Sequence, residues 1–274
     1  MKKLALTLTI LSTFCALAYA GPEPYSGKEM KQVAPMPPPC PNWTGFYIGG
    51  FGAYQFASAD PNLDLFGSWD GPNSGGSSFR DPFDRDVLDP LGSKDLNTSG
   101  FEAGGLIGYN YQLKNNWVFG VEAAIGYTWL DETNDTGPIA PAGSISTYSD
   151  LHTSFRTNYL ITAGPRIGYA FCKWLPYVTG GVAVSDVHFS QEIVESDIVF
   201  NEGGSKNDTK VGWMVGGGLQ YSVADHWSVR AQYQYVDLGS LGFNSAGDTD
   251  PTYLGKHDLS LREHNASFAI IYGF

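Results

Sequence analysis

The last eight residues, Ser267 to Phe274, constrain this chain more than any other stretch. Every second side chain back from the end is apolar: Phe274, Tyr272, Ile270, Phe268, Ala266. The interleaved set, Gly273, Ile271, Ala269, Ser267 and Asn265, is mixed and partly polar. A period of two describes a strand with two different faces. A soluble core strand would show the same period. An aromatic last residue, with no polar tail after it, suits the interfacial girdle of a membrane barrel.

The other end of the chain sets the compartment. Met1 to Lys3 is a charged start, Leu4 to Leu17 is mostly apolar, and Ala18-Tyr19-Ala20 has the small-x-small form of a cleavage site. Residues 1–20 therefore read as a secretory signal, and Cys15 leaves with it. Loss of Lys2 and Lys3 leaves 14 basic against 28 acidic residues, a net charge of −14. Such a chain is a poor nucleic-acid binder. No later segment has 18 consecutive apolar residues, so no membrane helix is expected. An exported, aromatic, glycine-rich and helix-free chain leaves a membrane β-barrel or a secreted β-sandwich.

Repeats separate those two. Residues 21–42 carry seven prolines and read as an extended periplasmic linker ahead of a barrel domain over residues 43–274. Four strand-like runs then open on a tryptophan: Trp43, Trp117, Trp174 and Trp227. Four runs close on aromatics at Tyr111, Phe171, Tyr221 and Phe274. Short turns join three of those ends to the next tryptophan. The other connections are long, about 57–98, 131–152, 190–205 and 239–256. Strict alternation of short and long connections gives eight strands, near 43–56, 99–113, 117–130, 153–171, 175–189, 206–222, 227–238 and 257–274. Segregated loop lengths and an aromatic ring at one end fit a transmembrane barrel and not a sandwich.

Alternation within the runs assigns faces. In the third strand Trp117, Phe119, Val121, Ile125, Tyr127 and Trp129 share the lipid face, against Gly120, Glu122 and Gly126. In the fourth, Phe155, Thr157, Tyr159, Ile161, Pro165 and Ile167 are expected outside, with Arg156, Asn158, Thr162 and Arg166 inside. In the seventh, Val229, Ala231, Tyr233 and Tyr235 oppose Ser228, Arg230, Gln232 and Gln234. The lumen is expected to be polar and glycine-rich.

Several motifs resemble the small Gram-negative outer-membrane β-barrel family, the OmpA-like or opacity-like "porin family". They are Asn42-Trp-Thr-Gly-Phe-Tyr-Ile-Gly-Gly50, Trp117-Val-Phe-Gly-Val-Glu122, Arg166-Ile-Gly-Tyr-Ala170, Leu175-Pro-Tyr-Val-Thr-Gly-Gly181, Gly212-Trp-Met-Val-Gly-Gly-Gly218 and Tyr235-Val-Asp-Leu-Gly239. The resemblance covers roughly residues 42–274. It implies an all-β, eight-stranded antiparallel up-and-down transmembrane barrel in the cell outer membrane, with short periplasmic turns and long extracellular loops. It also implies insertion by the barrel-assembly machinery, which reads the C-terminal strand. Gln232 stands where the family commonly has Glu, and no further domain is expected after Phe274.

Candidate residues follow from those phases. Glu102, Glu122, Arg166, Arg230 and Glu263 fall on the lumen face and must pair if buried. They form either a structural plug or a narrow ion path, and the width of an eight-stranded barrel favours the plug. Trp43, Trp117, Trp174, Trp227, Tyr272 and Phe274 are the expected periplasmic girdle. Cys40 and Cys172 both fall at the periplasmic rim. An even pair in an exported chain favours a disulfide. Strands one and five stand on opposite sides of the ring, so Pro41 to Trp43 would have to carry Cys40 across the opening.

Eight aspartates, at 60, 64, 70, 81, 84, 86, 89 and 95, crowd the first long connection without the spacing of a calcium loop. They read as a solvated acidic loop, in which Phe66, Trp69, Phe79 and Phe83 either meet a partner or pack the loop. His152, His188 and His257 are placed near the outer rim. His264 and Ser267 differ by three and point to opposite faces, so no triad forms and no catalytic, cofactor or metal site is expected. The expected surroundings are outer-membrane lipids and lipopolysaccharide. The expected role is structural or surface-interacting, with a low-conductance channel or a loop-borne adhesin or receptor as the alternatives.

Overall fold

The computed structural model describes residues 40–69, 83–139, 149–195 and 200–274. The expected signal and nearly all of the proline-rich linker lie outside the described residues. Eight strands follow one another: β1 (Gly45–Gly67), β2 (Leu96–Gln112), β3 (Trp117–Asp135), β4 (Ser149–Tyr169), β5 (Trp174–Glu195), β6 (Phe200–Ser222), β7 (Trp227–Ala246) and β8 (Tyr253–Gly273). Each pairs antiparallel with its neighbour, and β8 pairs with β1 to close the barrel. The short turns close as hairpins. Leu113 N donates to Trp117 O at 2.7 Å, Phe171 N to Trp174 O at 2.7 Å, and Val223 N to Trp227 O at 2.9 Å.

Two expectations need correction. The chain is not helix-free, because α1 (Phe83–Gly92) precedes β2. The long connections are also mostly strand. β1 runs to Gly67, β3 to Asp135, β5 to Glu195 and β7 to Ala246. A strand of 23 residues such as β1 is roughly 75 Å long at about 3.3 Å per residue. Even with a tilt of about 40°, that is twice the ~25 Å apolar band of an outer-membrane barrel. The upper ends of the strands therefore stand beyond that band, about half of β1 and less of the shorter β2 and β3.

The two halves are built differently. In the lower half all eight strands are paired. β2 and β3 stop pairing at Glu102↔Thr128, and β6 and β7 stop at Trp213↔Asp237. The remaining ladders continue upward, to Gly67↔Tyr253 between β1 and β8 and to Glu195↔Phe200 between β5 and β6. Above the membrane the ring thus divides into two four-stranded sheets, β7-β8-β1-β2 and β3-β4-β5-β6. Their inner faces enclose an apolar core, as in a sandwich.

Irregularities mark the junction. The β3–β4 register shifts between Tyr127 and Leu130, and the β4–β5 register between Arg156 and Leu160. The β7–β8 register shifts between Asp237 and Gly239, where Gly239 takes φ +70°. A bulge adds a residue and bends its strand. In β4 the bulge also inverts the side-chain phase. Phe155 and Thr157, expected outside, are 1 % exposed and point inward, while Arg156 is exposed. Asp186 of β5 holds the bulge, accepting from Asn158 N at 2.9 Å and Tyr159 N at 3.0 Å. Below the bulge the expected phase of β4 is the observed one.

Candidate functional site: a lumen sealed at two levels

The lower seal is an ion-paired layer. Glu122 on β3 faces Arg166 on β4 and Arg230 on β7 across the lumen. Arg166 Nη1 lies 3.1 Å from Glu122 Oε2, and Arg230 reaches both carboxylate oxygens at 2.8 Å. Two charge-assisted contacts from one guanidinium give strength and a fixed orientation. Tyr47 Oη donates to Glu122 Oε2 at 2.7 Å and accepts from Arg166 Nη1 at 3.0 Å. Gln220 Oε1 accepts from Arg166 at 3.2 Å and from Arg230 at 3.4 Å. The Arg166 guanidinium carbon sits 3.8 Å from the Tyr177 ring centroid, within cation–π range.

Glycines make room for these groups. A Cβ at Gly108 would collide with the Tyr47 hydroxyl, and one at Gly126 with the Glu102 carboxylate. An eight-stranded interior is only wide enough for side chains, so each large polar group needs a bare neighbour. Glu102 and Glu263 do not join the ion pairs. They stand in a second polar layer above, where Gln55 Nε2 donates to Glu102 Oε2 at 3.0 Å.

The upper seal is apolar. Ala59, Leu96, Leu130, Phe155, Leu160, Val187, Phe189, Met214, Val236, Leu238, Leu259 and Leu261 form one buried cluster directly above the polar layers. Leu63, Leu65, Trp69, Leu88, Leu151, Ile193, Phe200 and Tyr253 form a second above it. α1 supplies Leu88 and lies against β1 and β4, and Gln191 Nε2 donates to Gly92 O at 2.8 Å. Of the candidate contact aromatics, Trp69 packs this core. Phe66 sits on β1, Phe83 on α1, and Phe79 lies outside the described residues. Most of the described aspartates of that stretch lie on regular elements, with Asp84, Asp86 and Asp89 on α1 and Asp95 in the short connection to β2. Asp60 and Asp64 sit on β1, paired with Arg262 at 3.4 Å and Arg85 at 3.1 Å.

A polar, ion-paired lumen inside a lipid-facing ring, with an aromatic C-terminal strand, can be set beside known proteins. A family model described as "Outer membrane protein beta-barrel domain" matches residues 8–274. The chain belongs to this outer-membrane barrel family. The "31 kDa outer-membrane immunogenic protein" of Brucella melitensis is 28% identical over 218 residues, covering 78% of this chain and 77% of that protein. A "22 kDa outer membrane protein" of Rhizobium leguminosarum is 26% identical, covering 78% and 72%. Among solved structures, OprG of Pseudomonas aeruginosa has a TM-score of 0.41 at 15% identity, covering 85% of this chain and 98% of that one. Ail of Yersinia pestis, the attachment invasion locus protein, has a TM-score of 0.35 at 15% identity, covering 82% and 99%.

The outer-membrane barrel carries its aromatics at both edges of the apolar band. Trp117, Trp174, Trp227, Tyr272 and Phe274 ring the lower rim, with Trp227 and Tyr272 stacked edge-on at 5.1 Å. Trp43 is not among them. It turns under the barrel and packs on Val118, Ala170 and Leu175, its Nε1 donating to Cys172 O at 3.2 Å. Cys40 is bonded to Cys172, so the chain crosses the barrel floor before entering β1. An upper girdle of Tyr54, Phe56, Phe101, Tyr127, Trp129 and Trp213 escapes the sequence reading. Trp129 lies twelve residues beyond Trp117 on β3, which is ~40 Å along the strand and about 30 Å in height at the usual tilt.

Sequence reasoning also missed Tyr47, Tyr177 and Gln220 as partners of the arginines. Their lumen phase opposite Arg166 and Arg230 was the available signal. The three rim histidines fare differently. His152 and His188 lie on the outer face, bonded to Asp135 at 2.7 Å and Asp186 at 3.1 Å. His257 is fully buried in the upper core, stacked on Phe243 and bonded through Nδ1 to Gln191 Oε1 at 2.8 Å. Ser245 and Glu202 both meet its other nitrogen, Nε2.

Proposed function

We propose that this outer-membrane protein is neither a channel nor an enzyme, and that it serves as a rigid platform holding a folded sandwich above the outer leaflet for surface contacts. The observation carrying this reading is the double seal. An ion path must cross the Glu122–Arg166–Arg230 layer and then pass the two apolar clusters above it. A hydrophobic constriction excludes hydrated ions. Planar-bilayer recording tests it. The purified full chain should give no unitary steps, and stable steps abolished by Phe155→Arg would favour the low-conductance channel.

The non-catalytic part rests on geometry. Ser245, His257 and Glu202 lie together, but serine and carboxylate share one ring nitrogen, so the carboxylate cannot orient the imidazole as a base for that serine. His257 is also wholly buried, out of reach of a substrate. Two features support a surface role: the extracellular half is a packed module, and relatives are named outer-membrane immunogenic proteins. The two aromatic girdles would seat the barrel among outer-membrane lipids and lipopolysaccharide. The β8 strand ending at Phe274 would be the segment read by the barrel-assembly machinery.

A further inference from the structure

The second polar layer is incompletely satisfied. Gln55, Glu102, Gln234, Glu263 and Asn265 are all more than nine-tenths buried. Gln55 Oε1, Glu263 Oε2, Gln234 Nε2 and both side-chain atoms of Asn265 have no hydrogen-bond partner among the described residues. Buried polar atoms in native structures are almost always paired with protein, water or an ion.

The register places these groups together. Asn265 is the cross-strand partner of Gln55 on one side and of Gln234 on the other. Glu263 lies two residues along β8 and so shares the lumen face. Glu102 is held by Gln55. A cavity of about 40 Å³ is lined by Glu102, Gln234 and Asn265, with Glu122 and Arg230 also on its wall. That is ample for one small ion or a few waters.

Charge narrows the occupant. Glu122 is shared by two guanidiniums, which leaves its layer with one positive charge in excess. Glu102 and Glu263 make no ion pair among the described residues. With all three lumen carboxylates ionised, two arginines leave one negative charge unbalanced, and an uncompensated buried charge is strongly unfavourable. One monovalent cation balances it, whereas a divalent ion would reverse the sign. The free oxygens are carboxylate and amide, the donors preferred by hard cations. With both of its polar atoms unpartnered, Asn265 can turn its amide oxygen toward the ion.

We propose that the lumen binds one small monovalent cation of the sodium class beside Glu102, on oxygens from Glu102 and Asn265, which both line the cavity. The ion-paired layer lies below the site and the apolar core above it, so the cation is taken up as the barrel closes. The test is to refold the full chain into detergent micelles in sodium chloride or in N-methylglucamine chloride at equal ionic strength. The thermal midpoint is then read in each. The midpoint should be several degrees higher in sodium, and Glu102→Gln should abolish the difference. Equal midpoints for the unmodified chain would assign the balancing charge to a proton on one carboxyl and overturn the site. A sodium dependence that survives Glu102→Gln would overturn it as well, by placing the effect on the surface. If Glu102→Gln does not fold, Asn265→Leu, which removes one ligand and fills the cavity, is judged by the same criterion.

Discussion

The two halves of this barrel obey opposite rules. Along β8 in the lower half, Phe268 and Ile270 face out and are more than half exposed, while Asn265 and Glu263 face in and are buried. Higher on the same strand the pattern reverses. Leu259 and Leu261 face in and are buried, while Lys256, Asp258, Ser260 and Arg262 face out. The side-chain period stays at two throughout. What changes is the solvent. Lipid rewards apolar groups outside, and a ring this narrow needs polar pairs within. Above the band, water surrounds the strands and the hydrophobic effect draws apolar groups to the interior. The bulges at the junction let the strands separate into two sheets where the demand reverses.

The largest expected effects set one seal against the other. Glu122→Ala leaves two buried guanidiniums without their carboxylate and should lower folding stability in detergent by about 3–5 kcal/mol. Phe155→Ala opens a cavity in the upper core and should cost about 3–5 kcal/mol as well. Hydrogen exchange separates them. The first should loosen the lower ring, and the second should expose amides of the upper sheets while leaving the lower ring protected. Equal loosening of both halves by either variant would show that they do not behave as distinct units.

A paired substitution on the outer face tests the reversal itself. Ile270→Arg places a charge against lipid and should cost about 2–4 kcal/mol near the middle of the band. Ser260→Arg, ten residues along the same strand and on the same face, should change stability by less than about 0.5 kcal/mol. A comparable loss at both positions would put Ser260 inside the apolar band and move the boundary upward.

The smallest effect is a pH dependence confined to the extracellular half. The hydrogen bond to Asp135 holds the exposed His152 imidazolium and raises its pKa above the ordinary histidine value. A raised folded-state pKa contributes stability that is complete below about 6.5 and is lost as pH rises through the folded value. Amides joining the upper ends of β3 and β4 should therefore exchange slightly faster, relative to the intrinsic rate, at pH 8 than at pH 6. His152→Gln should remove that difference, and a difference of equal size in the lower ring would assign it to another group.

Much of the lower half was legible in the sequence. The lipid-facing run from Trp117 to Trp129, the lumen phase of Glu122, Arg166 and Arg230, and the strand order all follow from period and turn spacing. The upper half was hard to read for a physical reason. Its outward positions are Asp, Ser, Asn and Lys, and β1 even carries Pro61, so the stretches resemble loops. The β4 bulge was invisible because it depends on Asp186, which comes from another strand.

The sequence by itself determined that eight amphipathic strands close on an aromatic end and that charges face the lumen. Those are properties of one residue and its near neighbours, and alternation records them. Only the tertiary structure decided that Glu122 takes both arginines while Glu102 and Glu263 take neither. It alone placed Trp43 under the floor, beside the bond from Cys40 to Cys172, and set an apolar sandwich on top of the polar barrel. These outcomes depend on which side chains meet across a closed ring and on the height at which lipid gives way to water, neither of which is written in local periodicity.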